Sequence, residues 1–526
     1  MGFGQIPVYG VKTISKLLRP YNWVRLLVVL VLLPFDFLVA LSLWLSELFY
    51  FPFSVFARVS IPTTPPDIQE ASIIILNWEG KHLLEEFLPS VLQAVKHDGR
   101  NHEVIVVDNG SHDGSIEFLR TNYPLVRIVG LPRNMRFTGG NNAGVQAAKN
   151  DIVIFLNNDM QVDPDFIHPL LEGFKEETIF AISCQVFFQD KTRRREETGK
   201  TRAKWKLGFV EMYHDQITES DRKQKYVPIF WGGGGSCAFD RKKLLAMKGF
   251  DTLYDPFYLE DTDLSYQAWK RGWKSLLAVD SLVVHQHRGT NRLKFGDNYV
   301  DNTIRKNQYL FIWKNVTDFR WIIAHGLLLP LIQAQLLLQT NWHFESKAFL
   351  RALIQLPQAL YKRYQCRPAY TLRDQKIFQE TSRILPQTGE NAISFSQGDF
   401  VEQLGEGWYE RERNADEGFR WMGRRSSFFL FPKGNEQFLE IRGAVPDIRN
   451  FRRRYVKLEI YQGQKLILSK RWFQAATFHL RVALSPPSHQ PYCFSLHLSS
   501  SFCPAHHGTG KDLRELGMIL SEMRLV

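Results

Sequence analysis

The chain has 526 residues, more than a single domain ordinarily takes, and 44% hydrophobic with 23% charged side chains suits a folded protein rather than a disordered or collagenous one. A formal net charge of +12 calls for anionic partners. The basic residues form no recognised nucleic-acid module, which leaves phosphorylated substrates or an anionic membrane surface. Five scattered cysteines, Cys184, Cys237, Cys366, Cys493 and Cys503, form no CxxC pair and no zinc-finger spacing, which argues against a disulfide framework and for a reducing compartment.

Residues 1–67 read as an N-terminal membrane-associated segment and linker. Leu26 to Ser46, "LLVVLVLLPFDFLVALSLWLS", is long and apolar enough to enter a bilayer and follows Lys12, Lys16, Arg19 and Arg25. It is too long for a cleaved signal peptide. A single span with a basic cytoplasmic flank would carry the rest of the chain outside, and it would place Asp36 near the bilayer centre. The expectation is therefore a re-entrant or in-plane hairpin over residues 26–56, turning at Pro34-Phe35-Asp36 with both ends cytoplasmic. A single span with an external domain, and a buried core helix, stay open. "IPTTPPD" (Ile61 to Asp67) is a stiff linker.

From Ala71 the pattern alternates. "ASIIIL", "HEVIVVD", "LVRIVG" and "DIVIFL" are short buried strands with helical stretches between them, which predicts a parallel α/β sheet. Ligands bind such sheets at the carboxyl ends of the strands. Polar residues gather there: Asn77-Trp78-Glu79, Asp108-Asn109 and Asn157-Asn158-Asp159. No GxGxxG follows the first strand and no GxxxxGK[ST] loop occurs. "RFTGGNNAG" opens a later helix and can bring backbone N–H groups to a diphosphate.

The segments "IILNWEGKHLLEEFLPSVL", "VIVVDNGSHDGS", "RNMRFTGGNNAGVQAA", "IVIFLNNDMQVDPDFI", "GGSCAFDRKKLLAMKGFD" and "FYLEDTDLSYQAWKRGWKSLLAVDSLVVH" occur in that order. Together they resemble family 2 glycosyltransferases of the GT-A fold, in particular the bacterial rhamnosyltransferase-like branch, over Ile68 to about Arg288. The resemblance implies a Rossmann-like, mostly parallel catalytic domain over 68–300. It implies that Asp108 holds the nucleobase, a carboxylate accepting a pyrimidine N–H, with Trp78 stacking on the base and Asn77 and Glu79 beside it. Asn134 and Asn142 of the glycine-rich segment, Asn157, Asn158, Gly233 and Gly234 complete the nucleotide-sugar site. The DxD position of the family falls on Asn157-Asn158-Asp159. Asp159 and His285 are then the ligands of a divalent cation, Mg²⁺ or Mn²⁺, which takes oxygen donors readily. His287 stands two residues further on. Asp261 of "LEDTDL" is the implied base of an inverting transfer, with Glu260 as the alternative, and Asp263 caps or braces the helix that follows. Trp231 in "FWGGGGSCAF" is the candidate for stacking on a donor or acceptor sugar. Arg136 stands where the family carries glycine, which puts the local turn in doubt while offering a guanidinium to a phosphate.

Asp190 to Lys206 is a basic insertion, either a solvated loop or a contact to lipid headgroups or a lipid-linked diphosphate. Residues 301–390, including "WIIAHGLLLPLIQAQLLLQTNW", read as amphipathic membrane-interface helices, with a soluble helical subdomain as the alternative. Residues 391–526 alternate in short strands and predict a jelly-roll-like β-sandwich module. It binds glycan through Trp408, Tyr409 or Trp421, or serves a structural or dimerising role. The expected function is membrane-associated, metal-dependent, inverting transfer of one sugar from a nucleotide-diphosphate sugar to a saccharide or lipid-linked acceptor, at the cytoplasmic face of the cell inner membrane. Rhamnose is the sugar the resembled branch implies. A processive synthase would need QxxRW, and a nucleotidyltransferase would need GxGxR after the first strand. Neither motif occurs. A non-catalytic nucleotide-sugar or glycan-binding protein on the same fold is the alternative.

Overall fold

The computed structural model describes residues 23–50, 64–188, 199–206, 208–285, 295–339, 342–382, 389–398, 400–405, 407–414, 417–434, 436–447, 451, 455–463, 465–484, 491–502, 504 and 516–526. His287 and Asp190 to Thr198 of the basic insertion lie outside them. The chain divides into two compact units: 1–191, 195–217 and 221–383 form one, and 192–194, 218–220 and 384–526 the other.

The first unit begins with α1 (Trp23–Tyr50). The sheet domain follows as β1 (Ala71–Asn77), α2 (Lys81–Asp98), β2 (Glu103–Asp108), α3 (Ser115–Asn122), β3 (Arg127–Gly130), α4 (Arg136–Ala147), β4 (Ile152–Asn157), β5 (Met160–Val162), α5 (Ile167–Glu172) and β6 (Ile179–Phe188). Next come the hairpin of β7 (Thr201–Lys206) and β8 (Phe209–His214), then β9 (Tyr226–Pro228), β10 (Ser236–Asp240), α6 (Arg241–Ala246), α7 (Glu260–Lys270) and β11 (Lys274–His285). Among the described residues five α-helices close the unit: α8 (Asp297–Asn315), α9 (Phe319–Gln339), α10 (Trp342–Ile354), α11 (Leu356–Cys366) and α12 (Asp374–Glu380).

The strand order is β3-β2-β1-β4-β10-β6-β11-β5, with β9 also on β11. This is an α/β sheet, as expected, with parallel and antiparallel ladders mixed in it. The ladders joining β1 to β4 are parallel, β10 runs antiparallel between β4 and β6, and β5 runs antiparallel to β11. β1, β2 and β4 are nearly continuous buried runs because helices cover both faces of the sheet. The β1 register sets Asn77 opposite Asp108 and Leu76 opposite Asn157, so three strands end level on polar side chains.

The hairpin expected at Pro34-Phe35-Asp36 does not form. Residues 23–50 are one helix running through Pro34, about 42 Å long at 1.5 Å per residue. One stripe of α1 (Leu32, Val39, Leu43) joins the core of the helical layer, and polar ties fix it there. Gln333 Nε2 of α9 donates to Asp36 Oδ1 at 2.6 Å, and Glu47 accepts from Arg363 Nη2 (2.5 Å) and Arg367 Nη2 (2.9 Å) of the α11 region. These partners resolve the chain's choice at Asp36: packing against α9 hides the carboxyl, and no turn is needed. The opposite face exposes Trp23, Leu27, Leu30, Val31, Phe37, Leu48 and Phe49. Of the helices expected at a membrane interface, α8 is buried over most of its length, from Lys306 to Asn315 without a break. Phe319, Leu327, Leu350 and Ile354 on α9 and α10 are exposed. In the described part of the basic insertion, Lys200 and Arg202 are buried: Lys200 Nζ meets Asp221 Oδ2 at 2.6 Å and Arg202 Nη1 donates to the Pro228 carbonyl at 2.7 Å. Neither faces a headgroup.

The second unit is two antiparallel sheets sharing one core. One sheet holds β12 (Ala392–Ser394), β13 (Trp408–Arg413), β14 (Gly418–Met422), β16 (Phe438–Val445), β19 (Ala476–Ala483) and β21 (Ile519–Leu525). The other holds β15 (Arg425–Leu430), β17 (Val456–Gln462), β18 (Lys465–Trp472) and β20 (Tyr492–Leu498). Trp408 is 2% exposed and Tyr409 is buried in that core, so these two rings serve packing rather than glycan binding. Trp421 is half-buried, edge-on to Phe502.

Candidate active site

The level ends of β1, β2 and β4 build a connected polar floor. Asn77, fully buried, donates through Nδ2 to Asp108 Oδ2 (3.3 Å) and Ser115 Oγ (3.0 Å) and accepts at Oδ1 from Asn158 Nδ2 (2.9 Å). Asp108 Oδ1 accepts the Ser111 N–H (3.0 Å), which fixes the carboxylate at the strand end. Trp78, the next residue after Asn77, is half-buried. Glu79, with φ of +51°, turns the chain: its N–H donates to Ser111 Oγ (3.0 Å), and its Oε1 accepts from the His112 N–H (3.1 Å). The two strand-end loops are thereby tied together.

The glycine-rich segment is placed through Asn134, which accepts from Asn109 Nδ2 (3.2 Å) and from the Arg136 N–H (2.7 Å). Arg136 adopts φ of +63°, the left-handed conformation that a glycine takes without strain, so the turn survives the substitution. Its guanidinium reaches Asp255 Oδ2 at 3.0 Å. Asn142 clasps the Phe250 backbone with both amide ends (2.9 Å each) and thus anchors a loop instead of facing the strand ends.

Asp159 and His285 meet although 126 residues separate them. The antiparallel β5–β11 ladder sets His285 opposite Met160, and His285 Nε2 lies 3.1 Å from Asp159 Oδ2. Asp159 is 6% exposed, and its Oδ1 is buried without a hydrogen-bond partner. A buried carboxylate oxygen with no donor suits a cation. Among the described residues no group of three or more His, Cys, Asp and Glu side chains is assembled. The chain therefore offers two ligands, one carboxylate and one imidazole, and a bound diphosphate and water would supply the remainder of a Mg²⁺ or Mn²⁺ shell.

The glycine run joins this floor to α7. The Gly235 carbonyl accepts the Asn157 N–H (2.9 Å), and a Cβ on Gly235 would stand 2.6 Å from Asn157 Oδ1. Gly233 closes the turn through its carbonyl to the Ser236 N–H (3.2 Å). The Gly234 N–H donates to Asp261 Oδ2 (3.1 Å), and the Thr262 N–H to Asp261 Oδ1 (2.7 Å). Burial pushes the Asp261 carboxyl above its ordinary range while these N–H donors pull it back. Glu260 is pushed well above its range by burial and then by the charge of Asp261, and its Oε2 has no hydrogen-bond partner. Of the pair, Asp261 has the N–H donors that favour a charged carboxylate, which makes it the better proton acceptor. Tyr258 and Leu259, both at φ of +72°, aim the two carboxyls from the N-terminus of α7, and such strain is tolerated where the surroundings over-determine it.

Those surroundings are the part the sequence did not reveal. Asp263 is fully engaged: Tyr254 OH (2.8 Å), Asn315 Nδ2 (2.7 Å), Gln267 Nε2 (2.8 Å) and Lys314 Nζ (2.7 Å) all donate to it. It braces the helix, as expected. Asn307 Nδ2 lies 2.8, 3.1 and 2.8 Å from the carbonyls of Tyr254, Phe257 and Tyr258. Asn307, Lys314 and Asn315 belong to "KNQYLFIWKN", where the apolar content gives no local sign of a bracing role. Trp231, expected to stack on a sugar, is 6% exposed. Its indole lies edge-on to His214 in the core, and Thr201 Oγ1 bonds both its N–H (2.9 Å) and its carbonyl (2.6 Å). Its faces belong to the protein interior.

Comparison with known proteins bears on the same region. Residues 72–245 match the family model described as Glycosyl transferase family 2. The undecaprenyl-phosphate 4-deoxy-4-formamido-L-arabinose transferase of Aeromonas hydrophila subsp. hydrophila is 36% identical over 111 residues, 20% of this chain and 34% of that protein. N-acetylgalactosaminyltransferase 6 of Drosophila melanogaster is 24% identical over 198 residues, 36% of this chain and 29% of that protein. The uncharacterized glycosyltransferase YfnE of Bacillus subtilis is 24% identical over 262 residues, 42% of this chain and 66% of its own. The first of these matches spans about a third of the relative's length. Among solved structures, GalNAc-T7 with UDP, GalNAc and Mn²⁺ superposes with a TM-score of 0.39 at 15% identity, over 68% of this chain and 69% of the other. Residues 72–245, about a third of the chain, are thus similar to glycosyltransferase family 2.

Proposed function

We propose that the protein is a membrane-associated, metal-dependent, inverting glycosyltransferase that moves one sugar, rhamnose on the branch it resembles, from a nucleotide-diphosphate sugar to a saccharide or lipid-linked acceptor. The observation that carries this reading is the convergence of Asp108, Asp159 with His285, and Asp261 on the level ends of β1, β2 and β4 and the adjoining glycine run.

In this reading Asp108 accepts the base N–H and Trp78 lies against the base. Asp159 and His285 would hold a divalent cation, which would supply positive charge to a departing nucleoside diphosphate. Asn157 and Asn158 position the ribose and diphosphate. Asp261 Oδ takes the proton of the acceptor hydroxyl as that oxygen attacks the anomeric carbon from the face opposite the leaving group. Glu260 stays protonated beside it, which keeps the pair from carrying two charges in a dry site.

Membrane association is supported by α1, which is long and apolar enough to cross a bilayer and exposes an apolar face along its length. In the proposed arrangement that face enters the lipid, and the sheet domain works at the cytoplasmic side of the inner membrane.

The test is release of nucleoside diphosphate from a panel of nucleotide-sugars, with and without Mn²⁺, for the wild type and Asp261→Asn. Metal-dependent release from one donor, lost in the variant, is expected and names the sugar. Absence of binding to every donor, with metal and lipid present, refutes the transferase and leaves a glycan-binding module as the alternative.

A further inference from the structure

A cavity of about 410 Å³ opens beside the catalytic segment, lined by Arg136, Asp255, Tyr299, Lys306, Arg351 and Gln355 among others. None of Asp108, Asn157, Asp159 or His285 lines it. Its charges do not balance: three cations face one carboxylate. Asp255 is bonded to Arg136 Nη1 (3.0 Å) and Thr138 Oγ1 (2.6 Å). Lys306 is 3% exposed, and its Nζ finds only neutral acceptors, the Asp255 carbonyl and Gln355 Oε1, both at 3.1 Å. Arg351 is also held by neutral groups, Asn302 Oδ1 at 2.6 Å and the Tyr299 ring at 5.5 Å.

The other buried lysines provide the comparison. Lys200, Lys243, Lys270 and Lys314 are equally inaccessible, and each makes an ion pair, with Asp221, Asp240, Asp374, and Asp251 with Asp263 respectively. Lys306 alone of the five has no carboxylate partner among the described residues. Burial and the charges of Arg351 and Arg136 hold it down to about 8 against the opposing pull of the Asp255 carboxylate, which it does not contact, while two aspartates hold Lys314 above the usual lysine range. A buried ammonium without a counter-ion is costly in the free protein, and an incoming anion removes that cost.

We propose that this cavity is an anion site that receives the phosphate or diphosphate group of the acceptor. The assignment of the anion to the acceptor rests on the transferase reading above. Three placements support it. The neighbour of Lys306, Asn307, holds the carbonyls of the segment leading to Glu260 and Asp261. Phe137, next to Arg136, packs where a Cβ on Gly234 would stand 3.1 Å from its ring, and Gly234 donates to Asp261. Of its lining residues Ile354 is 80% exposed and Tyr299 is exposed as well, an apolar edge suited to the first units of a lipid chain.

The test is equilibrium binding without divalent metal, so that a diphosphate gains little at Asp159. Three probes are used: inorganic pyrophosphate, farnesyl phosphate in phosphatidylcholine vesicles, and farnesol in the same vesicles. Lys306→Met and Arg351→Met should each weaken phosphate binding about tenfold or more, the loss of a charge-assisted contact, and Lys306→Arg should retain most of it. Asp159→Asn should leave it unchanged. A preference for farnesyl phosphate over both pyrophosphate and farnesol identifies a lipid-linked source. Equal affinity for pyrophosphate and farnesyl phosphate identifies a water-soluble one. Lys306→Met should also melt at or above the wild-type temperature, because a methionine removes an uncompensated buried charge. A lower melting temperature with unchanged phosphate affinity, or phosphate binding lost in Asp159→Asn and kept in Lys306→Met, overturns the proposal. Metal-dependent release of nucleoside diphosphate from the donor is measured separately, so failure of the anion site is distinct from failure of the transferase.

Discussion

Asp263→Ala separates bracing from chemistry within the motif "EDTD". The carboxylate is 1% exposed and accepts four hydrogen bonds of 2.7–2.8 Å, one of them from the ammonium of Lys314. Removing it leaves Lys314 with Asp251 alone and leaves Tyr254, Gln267 and Asn315 short of an acceptor in a dry interior. Breaking a buried pair by deleting one partner costs about 3–5 kcal/mol. With about 2 °C lost per kcal/mol in a large unit, the melting temperature should fall by about 6–10 °C. The assay is thermal unfolding in lipid or detergent, followed by tryptophan fluorescence, with Asp261→Asn in parallel. Asp261→Asn should fall by only about 2 °C, because the amide oxygen still accepts the Thr262 N–H and only the Gly234 N–H loses its acceptor, a cost of about 1 kcal/mol. If Asp263→Ala melts with the wild type, or Asp261→Asn falls as far, the two roles have been assigned to the wrong carboxylates.

Four other outcomes are expected. In transfer assays Asp261→Asn should lose about 10²–10⁴-fold in rate, while Glu260→Gln, which mimics a carboxyl that already carries its proton, should keep most of it; equal losses would refute the division of labour. The acid limb of kcat/KM should lie above the ordinary aspartate value of about 3.9, since Asp261 is raised by burial and must be ionised to act, so activity rises with pH through that limb. A limb at or below the ordinary value contradicts the burial argument. Chelation should abolish nucleoside diphosphate release, with re-added Mn²⁺ restoring it, and His285→Ala should raise the Mn²⁺ concentration needed at saturating donor. Gly235→Ala should weaken donor binding more than it lowers the melting temperature, because the added methyl is driven into Asn157, whose Oδ1 it approaches to 2.6 Å; unchanged donor affinity would detach Asn157 from the nucleotide site.

The sequence alone determined the strand-and-loop skeleton of the site. Each of its strands is a short apolar run that ends on polar residues, and both properties are local, so Asn77, Asp108 and Asn157 could be placed at strand ends without any tertiary contact. It also marked Asp263 as a brace and residues 391–526 as β, because helix termini and strand alternation are likewise written within a few neighbours. Tertiary structure decided what depends on distant partners. Asp36 looked like a turn or a liability in lipid until α9 supplied Gln333. Trp231 and Trp408 looked like open aromatic platforms, yet hydrophobic burial, which composition favours equally, took both rings. The end of α7 that carries Glu260 and Asp261 is held by Asn307 and Lys314 from a helix about fifty residues downstream. The charge imbalance at Lys306 exists only because α4, α8 and α10 bring their cations to one cavity. Electrostatic partners and burial are set by proximity in space, and a chain read in order carries no direct record of it.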